Sequence, residues 1–92
     1  MLSVIPFDTV EEAIALGNQN EYGLGGAVWT KNISTALTVV KGIHTGVMWV
    51  NCYGVIDPLV GFCGTKMSGY GAKGGRAHLD TYLYTKTVYI DV

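Results

Sequence analysis

The sequence predicts an α/β fold, in which a β-α-β-α-β segment of parallel sheet is followed by a long glycine-rich loop, a short helix and a C-terminal strand. Two observations lead to this prediction. In the first half of the 92 residues, short apolar runs alternate with segments of helical periodicity, a pattern typical of parallel strands joined by helices. In the second half, glycines cluster between Cys52 and Gly75, and there the alternation of apolar runs with helical segments stops.

Three predicted strands and two predicted helices make up the first half. The strands are Leu2–Phe7, Gly25–Thr30 and Val47–Asn51. Asp8, with Glu11 three residues later, forms a capping pattern for the first helix at residues 9–18. Asn32 is a favourable N-cap for the second helix, and Gly46 can end it. Because the third strand is apolar without alternation, we expect helices on both faces of the sheet.

The second half contains the predicted loop 52–75, a short helix over Arg76–Tyr82 and a terminal strand over Tyr84–Val92. A loop of this length is usually functional or disordered in a compact protein. The terminal strand has no hairpin partner in the sequence. Because an unpaired strand edge invites pairing with another chain, we expect another domain or another subunit to receive it.

Composition argues against several classes of partner. Hydrophobic residues make up 49% of the chain and charged residues 14%, whereas about 25% is charged in a typical soluble domain. The net charge is −1 and the basic residues are not clustered, which argues against binding to nucleic acid or to an acidic membrane. No apolar run reaches the roughly eighteen residues of a membrane span. We therefore expect a soluble protein whose apolar surface is covered by partners.

The candidate chemical groups of the chain are few. Cys52, Cys63, His44 and His78 show no CxxC or HxxxH spacing, so neither a metal centre nor a disulfide framework is predicted. Cys52 could act as a nucleophile with a histidine as base, but its place just after an apolar strand favours a packing or pocket-wall role. Residues 69–74 match G-x-G-x-x-G, a nucleotide-binding pattern that requires a preceding strand. No strand is predicted there.

Five segments resemble the aldehyde dehydrogenase superfamily in order and spacing: Leu2–Asp8, Tyr22–Leu24, Val47–Tyr53, Lys66–Gly71 and Leu79–Val88. The resemblance covers essentially the whole chain and is most specific at W-V-N-C-Y, K-M-S-G-x-G and Y-x-x-x-K-T-V. It implies that the chain is the C-terminal segment of a larger subunit with a Rossmann-like cofactor domain. Residues 1–67 would end the catalytic domain, residues 68–82 would be a connecting loop and short helix, and residues 83–92 would be an oligomerisation strand.

The resemblance also implies a chemistry. Family members oxidise an aldehyde to a carboxylic acid with NAD or NADP, using a cysteine nucleophile and a glutamate base. In the family pattern these residues and the cofactor contacts lie upstream, so the chain supplies no catalytic residue, cofactor-binding residue or metal ligand and is expected to be an inactive fragment alone. The positions that carry over are Cys52, Ile56 and Phe62, which match the wall of the substrate tunnel. The family further implies a homo-oligomer, either dimer or tetramer, in the cytoplasm or in mitochondria.

Two alternatives stay open. In one, the chain is a truncated structural or binding module that co-assembles with full-length subunits through residues 84–92. In the other, it is an independent nucleotide-binding domain that uses residues 69–74.

Overall fold

A computed structural model describes all of residues 1–92. The helices and strands, in chain order, are α1 (Val10–Asn18), β1 (Tyr22–Gly23), β2 (Gly25–Val28), α2 (Ile33–Gly42), β3 (Val47–Val50), β4 (Phe62–Cys63), β5 (Thr65–Lys66), β6 (Ala72–Lys73) and a 3₁₀ helix (Arg76–Tyr82). The strands form three separate pairs. The predicted α/β class is confirmed.

The central unit is β2-α2-β3, with the two strands parallel and in register from Gly25 opposite Val47 to Val28 opposite Val50. The two faces of this pair are covered differently. Met48 packs over Gly26 on one face, where both helices lie. Trp49 packs over Gly25 on the other face, since successive strand residues point to opposite sides.

The face that bears Trp49 is not covered by a helix, contrary to our expectation of helices on both faces. Residues from the loop that follows β3 cover it instead. The apolar run of β3 is still explained, because the loop contributes aromatic rings that exclude water as a helix would.

The glycine-rich segment 52–75 is not structureless. β4 pairs with β6 inside it, and β5 pairs antiparallel with β1 near the start of the chain. Side chains reinforce the second pair: Thr65 Oγ1 donates to the Gly23 and His44 carbonyls, each at 3.0 Å, and the Gly23 N–H donates to Ser68 Oγ at 2.9 Å. The segment is therefore tied back to the parallel unit.

Neither predicted terminal strand is a strand in this structure. Residues 2–7 have no pairing partner, which corrects the β-α-β-α-β prediction to α-β-β-α-β for this chain, with only β2 and β3 parallel. Residues 84–92 are likewise unpaired within the chain, as their lack of a hairpin partner led us to expect. A strand needs a neighbour for its N–H and C=O groups, and local sequence alone does not supply one.

The helix ends differ from the prediction at two points. α1 is capped by Thr9, whose Oγ1 accepts from the Glu12 N–H at 3.1 Å, while the Glu12 carboxylate accepts from the Asp8 N–H at 2.8 Å. The predicted capping pattern is thus displaced by one residue. α2 begins after Asn32 as predicted, but it ends at Gly42 rather than near Gly46.

The core is thin. Only three of the 92 residues are buried, and the two apolar ones are Ala36 and Trp49. Neither helix is long and apolar enough to cross a membrane.

Candidate functional site

An aromatic cluster gathers at the end of β3. The indole Nε1 of Trp49 donates a hydrogen bond of 2.9 Å to the Val55 carbonyl. The ring centroid of Trp49 lies 4.8 Å from that of Tyr53 and 6.5 Å from that of Phe62, separations typical of tilted aromatic pairs. We call Trp49, Tyr53, Val55 and Phe62 the Trp49 cluster. It folds the loop 52–62 over one face of the parallel strands.

Asn51 makes the turn that leads into this loop. Its φ is 55°, a left-handed conformation that non-glycine residues rarely adopt and that asparagine tolerates best. Its carboxamide makes two hydrogen bonds to one backbone position: the Thr30 N–H donates to Oδ1 at 2.9 Å, and Nδ2 donates to the Thr30 carbonyl at 3.0 Å. The side chain therefore joins the ends of the two parallel strands.

The three residues predicted for the tunnel wall lie on this loop or at its end. Phe62 is half-buried and belongs to the Trp49 cluster. Cys52 is exposed, and Ile56 is 62% exposed. The structure thus brings one predicted wall residue into a packed arrangement and leaves two on the surface of the same loop.

A cation lies beside the only packed wall residue. Lys73 Nζ is 5.6 Å from the centroid of the Phe62 ring, within the range of a cation–π contact. The position follows from the pairing of β4 with β6, which places Phe62 opposite Lys73.

The other candidate groups do not assemble into a site. Both cysteines are free, and no group of three His, Cys, Asp or Glu residues could hold a metal ion. His78 contacts Thr81 and Tyr82 rather than a cysteine. The G-x-G-x-x-G match at residues 69–74 spans an antiparallel strand of two residues and leads to a 3₁₀ helix. A pyrophosphate cradle needs a strand before it and an α-helix N-terminus within it, so this geometry argues against the nucleotide-binding alternative.

A large groove lies elsewhere in the structure. A groove of about 770 Å³ runs between the two helices and the strand face that bears Met48. Its apolar lining includes Val10, Ala13, Val39 and Met48. None of the predicted wall residues borders it, and Phe62 packs against Trp49 on the other side of the strands.

Sequence reasoning did not single out Asn51 as a functional residue. The signal that could have indicated this residue was an asparagine directly after an apolar strand, where a residue in the left-handed conformation can end the strand. Its partner Thr30 is 21 residues away, so the contact itself could not be predicted.

Comparisons with known proteins give one consistent result. The sequence model of the aldehyde dehydrogenase family matches residues 1–88. Aldehyde dehydrogenase family 2 member B4, mitochondrial, from Arabidopsis thaliana is 42% identical over 86 residues, which are 94% of this chain and 16% of that protein.

Two solved structures extend the result to the fold. The apo form of an indole-3-acetaldehyde dehydrogenase is 40% identical with a TM-score of 0.86, over 100% of this chain and 22% of that one. A mutant of the indole-3-acetaldehyde dehydrogenase of P. syringae, in complex with NAD+, is 40% identical with a TM-score of 0.80, over 94% of this chain and 17% of that one. The chain therefore spans 16% to 22% of the length of these three relatives.

Proposed function

The chain belongs to the aldehyde dehydrogenase family, and from this premise we propose that it is the C-terminal part of an enzyme that oxidises an aldehyde to a carboxylic acid with NAD or NADP. The observation that carries the proposal is the family match over residues 1–88. The NAD+ complex of the P. syringae relative supports the choice of cofactor. The cofactor, when bound, accepts the hydride.

Within that enzyme, residues 1–67 form the end of the catalytic domain, residues 68–82 connect, and residues 83–92 are an oligomerisation strand. The β2-α2-β3 unit supports the assignment of residues 1–67 to a catalytic domain, because α/β domains are built from parallel strands joined by helices. The unpaired terminal segment supports the last, because its backbone groups need a partner outside this chain.

The loop 52–62 supplies one wall of the substrate tunnel, with Cys52, Ile56 and Phe62 facing the substrate. Its position supports this role, because ligands of open α/β sheets bind beyond the carboxyl ends of parallel strands and the loop leaves the carboxyl end of β3. An apolar and aromatic wall favours hydrophobic or aromatic aldehydes. It also excludes water from the neighbourhood of the reacting carbonyl.

This chain does not perform the covalent chemistry. Attack by a thiolate and activation of a hydrolytic water need a cysteine and a base held together, and the resemblance to the family implies that both residues lie upstream of this segment. We therefore expect the chain alone to be inactive and to contribute by shaping the tunnel and joining subunits.

The first test is the natural protein itself. Its intact mass is measured, and NAD- or NADP-dependent oxidation of an aromatic aldehyde is followed by the absorbance of the reduced nicotinamide. We expect a mass near that of a full-length aldehyde dehydrogenase and measurable turnover. A natural protein of 92 residues that copurifies with an intact homologue would instead favour the co-assembling module. This module is the second candidate because the terminal segment is unpaired within the chain.

A further inference from the structure

We propose that Asn51 is a positioning residue for substrate binding: its carboxamide fixes the left-handed turn that sends residues 52–62 across Trp49, and this turn sets where the tunnel wall stands. The inference rests on the proposed function, because it concerns the wall of the same tunnel. In this role Asn51 touches neither the reacting atoms nor the cofactor. It acts through the backbone of the loop.

The side chain of Asn51 extends the hydrogen-bond ladder between the two parallel strands. The last paired residues of the parallel strands are Val28 and Val50, and the Asn51 N–H still donates to the Val28 carbonyl at 2.8 Å. Thr30 would then be left without a strand partner. The carboxamide of Asn51 supplies both a donor and an acceptor to Thr30, so the side chain continues the ladder while the backbone turns away.

No other side chain combines this pair of hydrogen bonds with tolerance of a positive φ. Asparagine offers a carbonyl oxygen and an amide N–H at the length of one methylene, and it tolerates a positive φ. Aspartate lacks the donor, and alanine lacks both bonds and is strained at this φ. Glycine accepts the conformation freely but makes neither bond. These differences allow the hydrogen bonds to be separated from the backbone strain.

The turn at Asn51 is connected to the proposed tunnel wall through Val55. Val55 is held four residues later by the 2.9 Å hydrogen bond from the Trp49 indole, and Gly54 between them is also left-handed, with a φ of 76°. Cys52 thus lies on a short stretch fixed at both ends, at Asn51 and at Val55. Loss of the first attachment releases Cys52 and the start of the wall, while the Trp49 end stays anchored.

The test compares Asn51→Gly and Asn51→Asp with the unsubstituted natural protein that carries this chain. Two quantities are measured: steady-state kinetics with an aromatic aldehyde, and hydrogen exchange of the backbone amides of residues 52–60. For Asn51→Gly we expect KM to rise roughly tenfold, a factor that corresponds to about 1.4 kcal/mol, with kcat changed less than about threefold. Exchange of the loop amides should also accelerate. Asn51→Asp keeps the acceptor for the Thr30 N–H, so its KM and its loop exchange rate should lie between those of the unsubstituted protein and those of Asn51→Gly.

The matched control is Asn32→Ala. Asn32 is also an exposed asparagine whose Oδ1 accepts from two backbone N–H groups, those of Ser34 and Thr35, but it caps α2 away from the loop. The Asn32→Ala variant should lower the stability of the protein and leave both KM and loop exchange unchanged. This result would separate a positioning role from general destabilisation.

The outcomes separate the two proposals. Unchanged KM and unchanged loop exchange in Asn51→Gly would overturn the role of Asn51, and so would a fall in kcat at constant KM. If the unsubstituted protein oxidises no aldehyde with either nucleotide, the proposed function fails. In that case the exchange of residues 52–60 still decides whether Asn51 fixes the loop.

Discussion

Gly46 and Gly61 constrain substitution very differently, although both lie in connecting segments. The Gly46 N–H donates to the Gly23 carbonyl at 3.0 Å, and a Cβ on Gly46 would overlap the backbone carbonyl of Cys63. A Cβ on Gly61 would meet no atom within 4 Å. The first glycine lets two backbone segments approach each other, whereas the second borders open space.

Gly46→Ala should therefore destabilise the natural protein by about 3 kcal/mol or more, because a rigid backbone cannot relax as a side chain can. Gly61→Ala should change the stability by no more than about 0.5 kcal/mol. The free energy of unfolding, measured in urea, checks both values. Equal stabilities of the two variants would show that the close approach of Gly46 to Cys63 is not maintained in solution.

Phe62 is expected to contribute to substrate binding. Phe62→Ala removes a half-buried ring from the proposed wall and should raise KM for an aromatic aldehyde by roughly fivefold, which corresponds to about 1 kcal/mol of lost apolar contact. Tyr70→Ala is the control, because Tyr70 is fully exposed. Kinetics with the natural protein measure the difference. A KM that rises equally in both variants, or in neither, would contradict a tunnel-wall role for Phe62.

Residues with local partners could be predicted, and residues with distant partners could not. Asn32 was predicted as a cap because the N–H groups that it accepts from lie two and three residues ahead. Gly46 was predicted as a helix end but contacts Cys63, 17 positions later in the chain. The tunnel-wall assignment of Cys52, Ile56 and Phe62 came from the family resemblance, and it stays a prediction.

The cap of α2 shows how one residue supports an element. Asn32 Oδ1 accepts from the Ser34 N–H at 2.9 Å and from the Thr35 N–H at 3.2 Å, which satisfies two of the donors that a helix N-terminus leaves free. Asn32→Ala should cost about 1 kcal/mol of stability. Asn32→Asp keeps the acceptor and adds a charge that the helix dipole favours, so it should stay within about 0.5 kcal/mol. Thermal unfolding ranks the two variants, and an alanine variant as stable as the aspartate variant would refute the capping role.

Helices and strands differed in how far their sequence determined them. The start of α2 was predicted correctly, because its cap and its apolar spacing are local, but its end was not. The run Leu2–Phe7 is as apolar as β3 but has no neighbour in this chain, so it forms no strand. β1 and β5 contain two residues each, too few to produce a period in the sequence.

At the scale of the whole molecule, the chain is too elongated and too apolar at its surface to bury its own hydrophobic residues. Its extents are 74 × 26 × 24 Å, and apolar side chains are exposed at both ends and along the groove between the helices and the strands. Exposed apolar surface of this extent is typical of a surface that contacts other polypeptide, which supports the proposal that the chain is one part of a larger subunit.

The terminal segment 83–92 exposes several apolar side chains. Ile90 is 76% exposed and lies among Val88, Tyr89 and Val92, which are also exposed. If residues 83–92 pair with another subunit, Ile90→Asp places a charge in that interface and removes apolar burial that contributes about 1.5–3 kcal/mol, which weakens association at least about tenfold. Light scattering of the natural protein over a range of concentrations should then show a smaller species for Ile90→Asp, whereas the control Asp91→Asn should keep the original mass. A variant that loses stability at unchanged mass would instead show that the segment pairs within its own subunit.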